Sequence, residues 1–272
     1  MTHYPLNPNP PPYTLNDYAA ARDALLARIV AHLLADRRIA AAWLEGSFGR
    51  NEADRVSDLD LHLAIADSSS QSLCHHPKPR NAGAAAPERL ALISTFGRPA
   101  VIHENHHNAP AGGSFSFVLY STSAVMVDWV LTPLSMAIRS PESLLLFEKT
   151  TIPVLAYELP LAEEQSLTDV SERIAFFWMM AAVSCKYIIR QEDETVAWFF
   201  QVLQETLAEV DQLIHPLPNP AQKHLPASHA ATLLDLCRQM NGLAQEASQN
   251  GIEVAPSPLA EISTLLSLSN PT

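Results

Sequence analysis

Asp58 and Asp60 stand two residues apart in Ser57-Asp58-Leu59-Asp60-Leu61, a stretch where leucines alternate with polar side chains. On a strand such residues share a face, with Cα atoms about 6.5–7 Å apart. Two carboxylates so close repel each other unless a cation sits between them. A divalent ion suits that position, and Mg2+ in particular binds through one or two carboxylates plus phosphate oxygens and waters. Leu59 and Leu61 point the other way and anchor the strand in a core. Upstream lies Gly46-Ser47-Phe48-Gly49-Arg50. Gly46 lets the backbone approach a ligand closely, the following N–H groups can form an anion nest, and the Ser47 hydroxyl adds a donor. Arg50 can reach a phosphate, or it can pair with Glu52 or Asp54 on the surface. Ser57 can contact a ligand or simply turn the chain ahead of the strand. Asp128 is the only carboxylate in the run Ala124-Val125-Met126-Val127-Asp128-Trp129-Val130-Leu131. A charge in a buried strand is costly unless paired or metal-bound. If that strand lies beside the Asp58/Asp60 strand, three carboxylates could hold two ions about 3.5–4 Å apart, the arrangement of two-metal phosphoryl chemistry.

The elements that must position these groups follow from periodicity. The first dozen residues, through Asn7-Pro8-Asn9-Pro10-Pro11-Pro12, read as a polyproline-like leader, residues 1–15. A helix is expected from an N-cap near Asn16 or Asp17 to about Arg37, with Leu25, Ile29 and Leu33 at helical spacing. Short apolar or alternating runs predict strands at Ile39–Leu44, Leu59–Ile65, Ala100–Glu104, Ser114–Tyr120 and Ala124–Leu131, with a hairpin turn at Ser121-Thr122-Ser123. Asp67 to Pro87 reads as a surface loop, followed by a short helix to Thr95. From Leu134 onward the pattern predicts helices over Ser135–Glu148, Leu161–Arg190, Glu194–His215, Ala227–Asn250 and Pro258–Leu268, with a Pro-rich loop at 216–226. The expected fold class is α+β: a first domain of mixed helices and strands over 16–155, then an all-α helical domain over 156–272.

Composition narrows the function. The chain has 272 residues and a formal net charge of -12, with 17 Lys+Arg against 29 Asp+Glu. That balance disfavours a nucleic-acid surface, which needs cations against phosphates. No apolar run is long enough for a membrane-spanning helix, so no membrane partner is expected. Cys74, Cys185 and Cys237 are too few and scattered for a disulfide framework, which points to a reducing cytoplasm. The histidines at 75, 76, 103, 106 and 107 match no Cys/His zinc spacing. His62 shares a face with Asp60.

Gly46-Ser47, ten intervening residues, Asp58-x-Asp60 and a later strand carboxylate together resemble the DNA polymerase β-type nucleotidyltransferase superfamily. The wording Gly-Ser-Phe-Gly-Arg…Ser-Asp-Leu-Asp-Leu is closest to its small bacterial antibiotic members, the aminoglycoside and lincosamide nucleotidyltransferases. Those often carry Arg-Gly after the turn, whereas Arg50 here precedes Asn51. The resemblance implies that the 16–155 domain is catalytic and built on a mixed β-sheet flanked by helices, with an NTP (ATP or GTP) and two Mg2+ ions as cofactors and transfer of a nucleoside monophosphate with release of pyrophosphate. It implies Asp58 and Asp60 as ligands of both metals, Asp128 as ligand of the catalytic metal, and Gly46 and Ser47 as phosphate-holding residues, with Arg50 and Ser57 beside them. Glu104 is the candidate general base by its order along the chain. Lys186, in Lys186-Tyr187-Ile188-Ile189-Arg190, resembles the lysine-bearing helix that reaches the triphosphate. The expected partner is a small hydroxyl-bearing acceptor such as an aminoglycoside-like antibiotic. The alternatives are a toxin-like enzyme that modifies a protein hydroxyl, or a catalytically silent member that binds only nucleotide or a partner. Trp178, Met179 and Met180 read as helical core. Trp198, Phe199 and Phe200 read as core or as lining of an acceptor pocket.

Overall fold

The computed structural model describes residues 14–74, 86–104, 108–156, 169–215 and 228–269. The expected leader lies outside them apart from Thr14 and Leu15. So do the 216–226 loop, the first turns of the expected 161–190 helix, and His75, His76, His106 and His107. The chain divides into two compact units, with Gln165 the last residue of the first and Ser166 opening the main body of the second.

The first unit opens with α1, Leu15–Ala35, capped by Thr14 rather than by Asn16 or Asp17. The Thr14 hydroxyl accepts from the Asp17 amide at 3.1 Å and donates to the Asp17 carboxylate at 2.6 Å. This satisfies an orphan amide of the first turn, as a capping residue must. Tyr18, Arg22, Leu25, Ile29 and Leu33 form its buried stripe, the three-and-four spacing of an amphipathic helix. At its other end Lys149 Nζ donates to the Asp36 carbonyl at 2.6 Å, a cation at the negative pole of the helix.

Six strands follow: β1 Ile39–Leu44, β2 Leu59–Ile65, β3 Pro99–Glu104, β4 Ser114–Tyr120, β5 Met126–Pro133 and β6 Leu144–Glu148. They form one mixed sheet in the order β3-β4-β5-β2-β1-β6. β2 and β5 run parallel, and the other pairings are antiparallel. The short turn α2, Gly46–Gly49, separates β1 from β2; α3, Asp67–Leu73, and α4, Pro87–Ser94, lie between β2 and β3. One sheet face carries Leu61, Leu63 and Trp129 and packs under the helices; Phe96, just after α4, stacks on Trp129 with ring centroids 5.6 Å apart. On the other face Trp43, Ala41 and Ala64 meet Ala137 and Ile152 in a smaller core.

Two expectations over this unit are corrected. The loop expected over 67–87 begins as helix α3. Its serines satisfy their hydroxyls on local carbonyls, Ser70 on Asp67 and Ser72 on Ser69, while Leu73 and Cys74 bury. The helix expected over 135–148 is a single 3-10 turn, Leu134–Met136, followed by edge strand β6. Pro141 stands where that helix needs a backbone N–H, and β1 offers the apolar run a ladder instead.

The second unit is helical among its described residues: α5 Val170–Arg190, α6 Asp193–Ile214, α7 His229–Gln249 and α8 Leu259–Ser267. Asp169 and Ser228 cap α5 and α7 with side-chain hydrogen bonds, and Gln191 ends α5 in the left-handed conformation. Trp178, Phe177, Cys185, Leu203, Val210, Cys237, Met240 and Ile262 are almost wholly buried. All three cysteines of the chain are buried thiols without disulfides, and burial pushes Cys74 and Cys237 up to about 12. No helix among the described residues is long and apolar enough to cross a membrane.

Candidate functional site

The sheet register determines which side chains meet. Asp60 on β2 pairs with Asp128 on β5 in the parallel ladder. Asp128 pairs with Phe117 on β4, and Phe117 with His103 on β3. Directly paired residues of a sheet share a face, and neighbouring strands lie about 4.8 Å apart. Asp60 and Asp128 are therefore side by side on one face, both half-buried. Asp58 immediately precedes β2, two positions from Asp60, and is also half-buried. The adjacency expected of the two carboxylate-bearing strands is present, and parallel pairing brings it about.

The Gly-Ser turn arrives at the same place. Gly46 has φ +60, in the left-handed region, where an L side chain is strained. A side chain there would also collide with its neighbour: a Cβ built on Gly46 falls against an Asp60 oxygen and 2.8 Å from Asp60 Cγ. The glycine is thus required twice, once for its backbone angle and once so that the Asp60 carboxylate can lie against the turn. The Glu45 amide donates to the Asp60 carbonyl at 3.0 Å, which holds the turn at the end of the β2 ladder. Ser47 is half-buried within α2.

Glu45 joins this neighbourhood without a signal that sequence reasoning used. Its Oε1 accepts from Trp43 Nε1 at 2.9 Å and from the Ser140 amide at 3.2 Å. His62, two residues beyond Asp60, lies against Trp43 with ring centroids 5.6 Å apart. Desolvation holds its pKa down to about 4, so the ring is neutral at physiological pH. His103 occupies the row of Asp60 and Asp128, two strands from Asp128, and is 3% exposed. Residue parity combined with strand order would have found it; parity alone could not.

Three expected site residues are placed differently. Glu104 belongs to the opposite row, Leu61–Trp129–Ser116–Glu104, so its side chain is on the helix-covered face, away from Asp60 and Asp128. There Arg89, fully buried, donates through Nε and Nη2 to both Glu104 oxygens at 2.7 Å, and Ser116 Oγ adds a third bond at 3.0 Å. A carboxylate held by a buried bidentate guanidinium accepts no proton from an acceptor on the far face, and Glu104 is not the general base. Ser57 is 1% exposed, and its hydroxyl closes the loop on Asp54, accepting from the amide and donating to Oδ1, both at 2.9 Å. These bonds turn the chain ahead of β2. Arg50 is exposed and donates to Glu52 at 2.8 Å, the surface pairing that its neighbours offered. That bond raises its pKa, with Glu142 and Asp60 adding smaller electrostatic contributions.

Lys186 lies in the second unit, on α5. It is 7% exposed, with Nζ 5.9 Å from the Tyr187 ring centroid. In the same unit Trp178 and Met180 are buried, as expected of core. Phe199 is buried and stacked on Tyr187, while Trp198 beside it is 54% exposed.

Among the described residues no three His, Cys, Asp or Glu side chains are gathered as ligands of one ion. A Mg2+ ion that takes one or two carboxylates and fills its remaining positions with phosphate oxygens and water requires no such cluster. The Asp60/Asp128 pair with Gly46 against it matches that lighter requirement. No protein-family model matches the chain, and no curated protein is similar enough to match it.

Proposed function

We propose that the chain is a Mg2+-dependent nucleotidyltransferase that moves a nucleoside monophosphate from ATP or GTP to a hydroxyl of a small acceptor, with release of pyrophosphate. One observation carries the reading. Asp60 and Asp128 are register partners on parallel strands, and the Asp60 carboxylate lies against Gly46, the glycine of the Gly46-Ser47 turn. An anion grip and a carboxylate pair thus occupy one spot, as a metal-bridged triphosphate requires.

Asp58, Asp60 and Asp128 would hold the divalent ions. When bound, such ions neutralise the triphosphate and make an acceptor hydroxyl a better nucleophile. The remaining work belongs to the chain. The Gly46–Gly49 turn would offer the Ser47 and Phe48 amides and the Ser47 hydroxyl to phosphate oxygens, the Gly49 amide being taken by the Glu45 carbonyl at 3.0 Å. The buried ladder around Asp60 and Asp128 keeps the two carboxylates in a set geometry, so little reorganisation is needed on binding. With Glu104 engaged on the other face, no side chain of the chain is assigned as general base, and positioning with charge neutralisation supplies the catalysis. The mixed sheet under helices supports the nucleotidyltransferase domain of this reading. The free thiols suit a reducing cytoplasm.

Calorimetry with non-hydrolysable ATP and GTP analogues, with and without Mg2+, tests the proposal on the parent and on Asp60→Ala. The expected result is Mg2+-dependent binding by the parent that Asp60→Ala loses. Binding that ignores Mg2+, or that survives in the variant, would overturn it. An acceptor screen for pyrophosphate release then separates a small-molecule enzyme from a protein-modifying one and from a silent binder.

A further inference from the structure

Arg22 lies in the middle of α1 and is 5% exposed. A guanidinium so deeply buried is costly unless its donors are used. Nη1 donates to the Asp54 carbonyl at 2.7 Å and to the Ser57 carbonyl at 3.1 Å, and Nε donates to Asp23 Oδ1 at 2.9 Å. Its Cζ lies 4.8 Å from the centroid of the Phe48 ring, within cation–π range. These contacts reach two separate pieces of the candidate site. Phe48 stands inside the Gly46–Gly49 turn, next to Ser47. Ser57 directly precedes Asp58. The loop between them is closed locally by Asp54 and Ser57, and its start returns to the turn through the Glu52 amide, which donates to the Ser47 carbonyl at 2.8 Å; Arg22 adds a side-chain link from the far end of the loop.

We propose that Arg22 is the positioning residue of the site. It clamps the glycine turn and the loop before Asp58 onto α1 as one rigid piece, and thereby presets the spacing between phosphate grip and carboxylates. The clamp rests on the contacts above; its consequence for ligand affinity rests on the nucleotidyltransferase reading. Lysine would replace the clamp only in part: an ammonium can bond both carbonyls, as Nη1 alone does, but it has no second nitrogen for Asp23 and no planar group to set beside Phe48.

The test pairs amide hydrogen exchange with calorimetry on the full chain, using Arg22→Met, Arg22→Lys and the control Ile29→Val. Ile29 is buried on the same helix, seven residues beyond Arg22. Arg22→Met is expected to speed exchange over residues 46–60 by at least about tenfold, with β4 and α7 unchanged and Arg22→Lys intermediate. Ile29→Val lowers the melting temperature but leaves residues 46–60 protected. The Kd for the Mg2+–ATP analogue rises by about tenfold in Arg22→Met and is partly restored in Arg22→Lys. If Arg22→Met does not fold, Arg22→Lys against Ile29→Val carries the same comparison. Exchange over 46–60 no faster than in the control overturns the clamp, whatever binds. Faster exchange with an unchanged Kd overturns its role in affinity. Faster exchange in a protein whose parent binds no nucleotide upholds the clamp and removes the nucleotidyltransferase reading instead.

Discussion

On one face of the sheet Glu104 is sealed under helices, held at both oxygens by Arg89 and by Ser116. On the other face Asp60 and Asp128 stand side by side, half-buried, with a glycine turn against Asp60. All three acids lie in strands of one sheet, only two strands separate β3 from β2, and their chemical fates are opposite. A carboxylate with a permanent buried partner is part of the structure: its charge is matched and its geometry closed. Asp60 and Asp128 share a row on the other face and keep part of their surface open, which is the condition the proposed function needs. In a sheet the parity of the residue, more than its distance along the chain, decides which of these a given acid becomes.

The comparison breaks most sharply at the closed pair. Arg89→Met should destabilise the protein by about 3–5 kcal/mol, because it strands the Glu104 charge in the core; urea unfolding monitored by tryptophan fluorescence reads this. A cost below about 1 kcal/mol would mean that Glu104 is hydrated, and would return it to candidacy for chemistry.

The open pair is probed through its glycine. Gly46→Ala should cost about 1–3 kcal/mol from the positive φ alone. It should also lose Mg2+-dependent nucleotide binding, because its methyl takes the space of the Asp60 carboxylate. Unchanged binding in the folded variant would show that the turn and the acid do not form one site.

Asp128→Asn sharpens the contrast on the open face. It keeps the side chain's shape and removes its charge, and Mg2+-dependent nucleotide binding should weaken by at least about tenfold. Unchanged binding would take Asp128 out of the site and leave Asp60 without its register partner there.

The smallest effect belongs to a third setting for carboxylates, in the second unit. There His215 lies between Asp211 and Glu246, each 2.8 Å away. The ring nitrogens donate to Asp211 and to Glu246, and these hydrogen bonds, that to Asp211 first, raise its pKa above the usual imidazole value. The folded protein therefore holds this proton more tightly than the unfolded chain. The resulting stability is fully present below the unfolded pKa, near 6.5, and is lost as pH rises through the folded value. Thermal melts from pH 5.5 to 8.5 should show this loss in the parent and a flatter profile in His215→Gln. Because the site is open to solvent on about a third of its surface, added salt should shrink the difference. Identical profiles would mean that the bridge carries no charge.

Much of this architecture was legible in residue order. The alternation of Leu59, Leu61 and Leu63 with Asp60 and His62 fits only a strand with one apolar face, and a lone Asp128 among apolar residues marked its own strand. Helical spacing predicted α1 and α5 to α8 to within a few residues wherever they are described. Local chemistry was misread where tertiary pairing outweighed it. Leu144–Glu148 is apolar enough for either element, and the open edge of β1 made it a strand. Ser57 and Arg50 were ambiguous until Asp54 and Glu52 proved to be their partners.

What the sequence determined by itself was the set of groups: two acids at strand spacing, a third on a later strand, and a glycine-serine turn ahead of them. Periodicity and residue chemistry are local, so they survive without a fold. Tertiary structure alone decided which groups meet. It set β2 beside β5 in parallel register, pressed Asp60 against Gly46, sent Glu104 to the far face beneath Arg89, and gave Arg22 the task of joining turn to loop. Those outcomes depend on strand order and register, which arise from burying the whole apolar surface at once, and no window of neighbouring residues contains that information.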